Sequence, residues 1–156
     1  MANPPEQTSA AVFDEGRVSY AIFELARAHR SLAASLLRKM NLHPGQELIL
    51  MHLHRRDGQT QSELVESIGV DHSTMSKALR RMQETGLLTR EPAEYDRRVQ
   101  VNHLTPQGEA MREPIAAMWH TLEEATTSNL SSRQAASLLR TARTIVESIN
   151  SRISAD

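Results

Sequence analysis

Residues 70–92 read VDHSTMSKALRRMQETGLLTREP, and residues 95–108 read YDRRVQVNHLTPQG. The first stretch opens with Asp71, a residue type whose short side chain accepts from the backbone N–H groups of a helix's first turn. Met75, Leu79 and Met82 then recur at i, i+4 and i+7, which puts one apolar stripe on a helix of about 72–85. Gly86 stops it. Ser73, Thr74, Ser76, Lys77, Arg80 and Arg81 fall mainly on the other faces. Two short apolar runs follow, Leu87–Thr89 and Val99–Leu104, separated by the polar stretch 91–98. The second alternates, Val99, Val101 and His103 against Gln100, Asn102 and Leu104, so the pair predicts a β-hairpin.

Upstream, Thr60 and Glu63 have the spacing of a capping box, in which each side chain bonds the other's backbone N–H. They open a short helix of 60–68 with Leu64, Val65 and Ile68 on its apolar side. Gly69 then permits a sharp turn into Asp71. Before it, a helix of about 45–56 carries Leu48, Ile49, Met51 and Leu53 and ends near Gly58. Further out, Val18, Ile22, Leu25, His29, Leu32 and Leu36 alternate steps of four and three, with Met40 four further on, a heptad-like stripe. Downstream, Thr105-Pro106 opens a fifth helix, expected to be long and kinked at Pro114, with Met111, Ile115, Met118, Leu122 and Ala125 on one face. Ser131 or Ser132 caps a sixth with Leu138, Ala142, Ile145, Ile149 and Ile153. Residues 1–10 have no periodicity and read as an arm. The expected fold class is mainly α, in the order α-α-α-α-β-β-α-α.

Composition narrows the chemistry. The 156 residues contain no cysteine, which removes disulfides, thiolate metal sites and cysteine nucleophiles. It also fits a reducing, cytoplasmic setting. No apolar run approaches the roughly 20 residues that span a bilayer, and the polar, Pro-bearing N-terminus does not resemble a signal peptide. The chain lacks the GxSxG, P-loop, GxGxxG and HExxH patterns, so a non-enzyme without cofactor is expected. None of the seven histidines stands four residues from another, and none is read as a metal ligand. His29, on the apolar stripe, is expected in the core.

A short helix, a glycine turn, a capped helix and a hairpin form the order of a winged helix-turn-helix. The second helix of such a unit enters the DNA major groove by its N-terminal half. Small hydroxyl residues there allow close approach to bases and phosphates, and Lys and Arg supply counter-charge. Net charge is −1, and over residues 55–98 each Lys or Arg is matched by one Asp or Glu. Binding therefore requires the cations to gather on one face, which the phase of Ser73, Lys77, Arg80 and Arg81 permits.

In order and spacing, residues 60–108 resemble the winged helix-turn-helix of the multiple antibiotic resistance regulator (MarR) family. The most specific part is Asp96-Arg97-Arg98 followed by a strand and Leu-Thr-Pro-x-Gly at 104–108. The resemblance extends over nearly the whole chain and implies one domain over 1–156. Within it, a DNA-binding module of 44–105 sits in a helical dimerisation frame of 12–43 and 106–153. It implies a homodimer reading a palindromic operator as a transcriptional regulator, a repressor in most of the family. Arg98 would enter the minor groove, Asp96 would orient it, and Arg97 would meet a phosphate. The expected DNA-binding set is Ser62, His72, Ser73, Thr74, Ser76, Lys77, Arg80, Arg81, Asp96, Arg97 and Arg98. The family commonly carries a small-molecule effector crevice, for which Phe23, Arg27, Met51, His52 and Met118 are candidates. Two alternatives accompany this reading. One is a zinc-responsive regulator using Glu24 and His43, although Arg112 and Ala116 stand where further ligands would be expected. The other is a helical protein-interaction module without DNA binding.

Overall fold

The computed structural model describes residues 15–155, so the arm expected at 1–10 lies outside the described residues. These residues fall into two compact units, one ending at Trp119 and one beginning at His120.

In the first unit, α1 (Arg17–Arg38) and α2 (Gln46–Arg55) precede a two-residue strand, β1 (Gln59–Thr60). Next come α3 (Gln61–Ile68), α4 (His72–Glu84), β2 (Leu88–Pro92) and β3 (Gln100–Leu104). The strands form one antiparallel sheet in the order β1-β3-β2. Leu88 pairs with Leu104 at the base of the hairpin and Pro92 with Gln100 near its tip. The hairpin is thus as expected, while β1 is an addition: two residues are too few to show alternation, and their pairing with β3 comes from distant sequence. The core joins Leu37, Leu50, Leu53, Leu64, Met75, Leu79, Met82, Leu88, Ile115 and Met118. The stripe that predicts α4 is therefore its buried face. His29 is half-buried rather than enclosed.

The expected long fifth helix is instead two helices, α5 (Pro106–Glu109) and α6 (Arg112–Thr127), interrupted at Ala110 and Met111. The interruption expected from Pro114 falls four residues before it, at Ala110, whose carbonyl a proline cannot bond; Pro114 itself occupies the third position of α6, where a helix has no intrahelical partner for an N–H. Thr105 caps α5 by accepting from the Gly108 N–H at 3.0 Å.

A buried carboxyl opens α2. Glu47 is 7% exposed and accepts from the Gly45 N–H at 2.7 Å. Burial raises its pKa, and the Glu47 and Gly45 N–H groups offset part of that rise. The folded chain therefore binds this proton more tightly than the unfolded chain. Stability falls as pH rises from the ordinary carboxylate range through the raised value, and the effect is absent below both. Glu47→Gln keeps an acceptor for Gly45 and is expected to be neutral or stabilising at pH 7, with a flatter pH profile in urea unfolding. A larger loss of stability at pH 7 than at pH 4 would contradict this.

The second unit holds the remainder of α6 and α7 (Ser132–Ile153). Ser131 is its cap, in a reciprocal box with Gln134. No residue of α7 is buried, and Leu139, Val146, Ile149 and Ile153 are each more than half exposed.

Candidate nucleic-acid interface

Thr60 and Glu63 form the expected capping box at the start of α3: the Thr60 N–H donates to Glu63 Oε2 at 2.7 Å, and the Glu63 N–H to Thr60 Oγ1 at 3.2 Å. The Thr60 N–H, and after it the Arg56 guanidinium at 2.9 Å, hold the Glu63 carboxyl below its usual pKa. Gly69 ends α3 with φ +77°, a backbone state that costs glycine little and lets the chain reverse into α4. Asp71 then accepts from the Thr74 hydroxyl at 2.6 Å and the Thr74 N–H at 2.9 Å, and both lower its pKa. Its charge is thus directed into the first turn of α4.

Below this cap Met75, Leu79 and Met82 are buried, while His72, Ser73, Ser76, Lys77, Arg80 and Arg81 are exposed. Thr74 is exposed too, although its hydroxyl is engaged in the cap. Arg80 is partly committed within the helix, its Nε donating to Glu84 at 3.0 Å. Ser62 is exposed on the first turn of α3. One exposed polar surface thus lies over a fully packed apolar face, which a helix needs to enter a groove without exposing core.

The wing tip is built by backbone bonds. Ala93 and Val99 close the hairpin at 2.8 Å, and the Val99 N–H donates to the Asp96 carbonyl at 2.9 Å. The Asp96 carboxylate accepts the Arg98 backbone N–H at 2.9 Å. The expectation that Asp96 orients Arg98 therefore acquires a different geometry: the carboxylate fixes the turn from which Arg98 departs, rather than gripping its guanidinium. Arg97 and Arg98 are both exposed.

Arg98 also lines a cleft of about 230 Å³ with Thr60, Gln61, Ser62, His72, Arg90, Val99 and Gln100. The starts of α3 and α4 thereby meet the wing around one basic recess. Arg90, Gln61 and Gln100 are additions to the expected set. Arg90 gave no sequence signal because it lies inside β2, where its direction depends on pairing with β3.

The expected effector residues come from three helices. Phe23 and Arg27 are exposed on α1, Met51 and His52 are half-buried on α2, and Met118 is in the core. None of them lines the cleft above, the recess of about 470 Å³ near Arg38, Asn41 and His43, or the small apolar pocket between Leu48 and Ala78. Among the described residues no three His, Asp or Glu side chains converge as a metal site. Three histidines make structural contacts: His54 Nε2 lies 3.0 Å from the Gly108 carbonyl, His103 Nδ1 3.1 Å from Asp57, and His120 3.4 Å from Glu124.

Residues 40–99 match the sequence model of the MarR family. The organic hydroperoxide resistance transcriptional regulator of Bacillus subtilis is 28% identical over 99 residues, covering 64% of this chain and 67% of that protein. Matches to the first curated relatives span between 49% and 67% of those proteins' own length. A crystal structure of MarR is 25% identical, with a TM-score of 0.72 over 85% of this chain and 96% of that one. A MarR variant from E. coli complexed with operator DNA shares the fold at 21% identity, with a TM-score of 0.78 and the same coverage.

Proposed function

From the match of residues 40–99 to the MarR family we propose that the chain is a member of it, a homodimeric repressor that reads a palindromic operator. In this reading α4 lies in the major groove and the wing in the minor groove. The observation that carries it is the two-sided α4: Met75, Leu79 and Met82 are buried behind exposed Ser73, Ser76, Lys77 and Arg81, with Arg98 of the wing alongside one end. The relatives are described as transcriptional regulators, which agrees with a non-enzyme. In the same reading a small-molecule effector releases the DNA, with Phe23, Arg27, Met51, His52 and Met118 as its candidate contacts.

Fluorescence anisotropy with DNA from upstream of the protein's own gene tests this. Specific binding that exceeds binding to scrambled DNA, and weakens with salt, is expected. Equal affinity for both would exclude sequence-specific reading, and no binding at all would instead favour a protein-interaction module. Lys77→Ala should weaken operator binding with the fold intact. If Lys77 meets a base, about 1–3 kcal/mol of discrimination is lost at one position. If it meets a phosphate, the salt slope falls by about one for every sequence. Arg80→Ala should cost less than Lys77→Ala, because Arg80 must first leave Glu84. The reverse ranking would mean that the groove-facing side of α4 is assigned incorrectly.

Dimerisation rests on exposed apolar side chains. On α1, Val18, Ile22, Phe23 and Leu25 are exposed, and α7 carries the unburied face described above. Exposed apolar area of this kind on two long helices favours burial against a second copy. Sedimentation should show a dimer at micromolar concentration; a stable folded monomer there would exclude it.

A further inference from the structure

The sheet places Gln59, Asn102 and Arg90 side by side on β1, β3 and β2. Residues directly opposite in an antiparallel ladder project to the same face, with Cβ atoms about 5 Å apart. This rung is polar yet closed: Asn102 is 0% exposed and Gln59 4%. Gln59 Nε2 donates to the His52 and Arg56 carbonyls, at 2.9 and 2.6 Å. Asn102 Nδ2 donates to the Gln59 carbonyl at 2.8 Å. Within this rung two shielded atoms have no hydrogen-bond partner, the acceptor Asn102 Oδ1 and the donor Arg90 Nε. Each is costly to leave unpaired, and they belong to facing residues.

Arg90 also reaches the cleft between the starts of α3 and α4 and the wing, where its neighbours include Arg98, His72, Gln61 and Ser62. Among the described residues no carboxylate lines that cleft. An arginine suits both surroundings at once. Its planar guanidinium carries five N–H donors, so Nε can bond inward while the two outer nitrogens present a fork to an anion. A lysine, with one ammonium, cannot serve both directions.

We propose that Arg90 binds a DNA backbone phosphate in this cleft and that Asn102 is its positioning residue, with Asn102 Oδ1 accepting the Arg90 Nε–H. The inference rests on the DNA-binding reading above and adds to it a contact between recognition helix and wing. It also gives a reason for a fully buried asparagine in the middle of β3, a position that would otherwise suit an apolar side chain.

Nitrogen-15 NMR of the arginine Nε–H groups in the full-length protein tests the link without DNA. One slowly exchanging resonance is expected, lost in Arg90→Lys and in Asn102→Leu, and kept with a shifted frequency in Asn102→Asp, which retains an acceptor. Operator binding tests the phosphate. Arg90→Ala should lower the slope of log affinity against log salt by about one. Arg90→Lys should not restore full affinity. Asn102→Leu should weaken binding several-fold in the wild-type background and add nothing to Arg90→Ala. A wild-type spectrum with no protected Arg90 resonance overturns the link, whether or not Asn102→Leu folds. An unchanged salt slope in Arg90→Ala overturns the phosphate contact. A wild-type chain that binds no DNA overturns the DNA reading itself, and the NMR result still decides the pairing of Arg90 with Asn102.

Discussion

Gly108→Ala is expected to destabilise the protein by about 3 kcal/mol, at the upper end of overpacking costs. A Cβ at this position would collide with the Leu87 carbonyl oxygen and approach Leu104 Cδ2 to 3.1 Å. The Leu side chain can yield, but the carbonyl cannot, because it accepts the Thr105 N–H at 3.2 Å where the hairpin base meets α5. The Gly108 carbonyl in turn lies 3.0 Å from His54 Nε2 at the end of α2. Relieving the clash would therefore pull apart α2, the hairpin base and α5 together. Urea unfolding should show a lower midpoint with an unchanged m-value. A midpoint equal to wild type would mean that the backbone relaxes freely here. The glycine that ends the Leu-Thr-Pro-x-Gly pattern is thus required for close approach; it needs no unusual backbone angle.

Arg98→Ala is expected to cost about 1–3 kcal/mol of operator affinity, the range of a specific arginine contact in a groove. Asp96 supplies the sharper test. Its carboxylate holds the Arg98 backbone N–H, so Asp96→Ala should loosen the turn and forfeit part of the Arg98 contribution through lost preorganisation. Asp96→Asn keeps the side-chain oxygen that accepts this bond and should retain most affinity. If Asp96 acted instead by pairing with the guanidinium, Asn would be nearly as damaging as Ala. In a double-mutant cycle, Asp96→Ala should cost little once Arg98 is absent. Strictly additive losses, or none from Arg98→Ala, would exclude this wing mechanism. The bland alternative is a surface turn without a role in binding, for which every one of these variants would bind as wild type does.

Features written within one turn or one strand are legible in the residues alone. Thr60 and Glu63 lie three residues apart and Asp71 directly precedes the apolar stripe, so these two caps could be read from the residues, whereas the choice of Ser131 over Ser132 came with the structure. The periodicity of Met75, Leu79 and Met82 identified the buried face of α4, and through it the exposed one. Alternation in 99–104 announced β3 and hence the wing. Tertiary structure alone decided the contacts between residues remote in the chain. Gln59 and Thr60 became a strand because Asn102 and Val101 lie beside them. Arg90 turned into a cleft that three separate segments line, and Gly108 acquired its purpose from Leu87. Asp96 was legible as Arg98's companion, but which of its donors the carboxylate takes depends on the path of the turn. Local bonds require only the next few residues, whereas each of these remote contacts exists only after the chain has closed loops of many residues, and no short window of sequence records that closure.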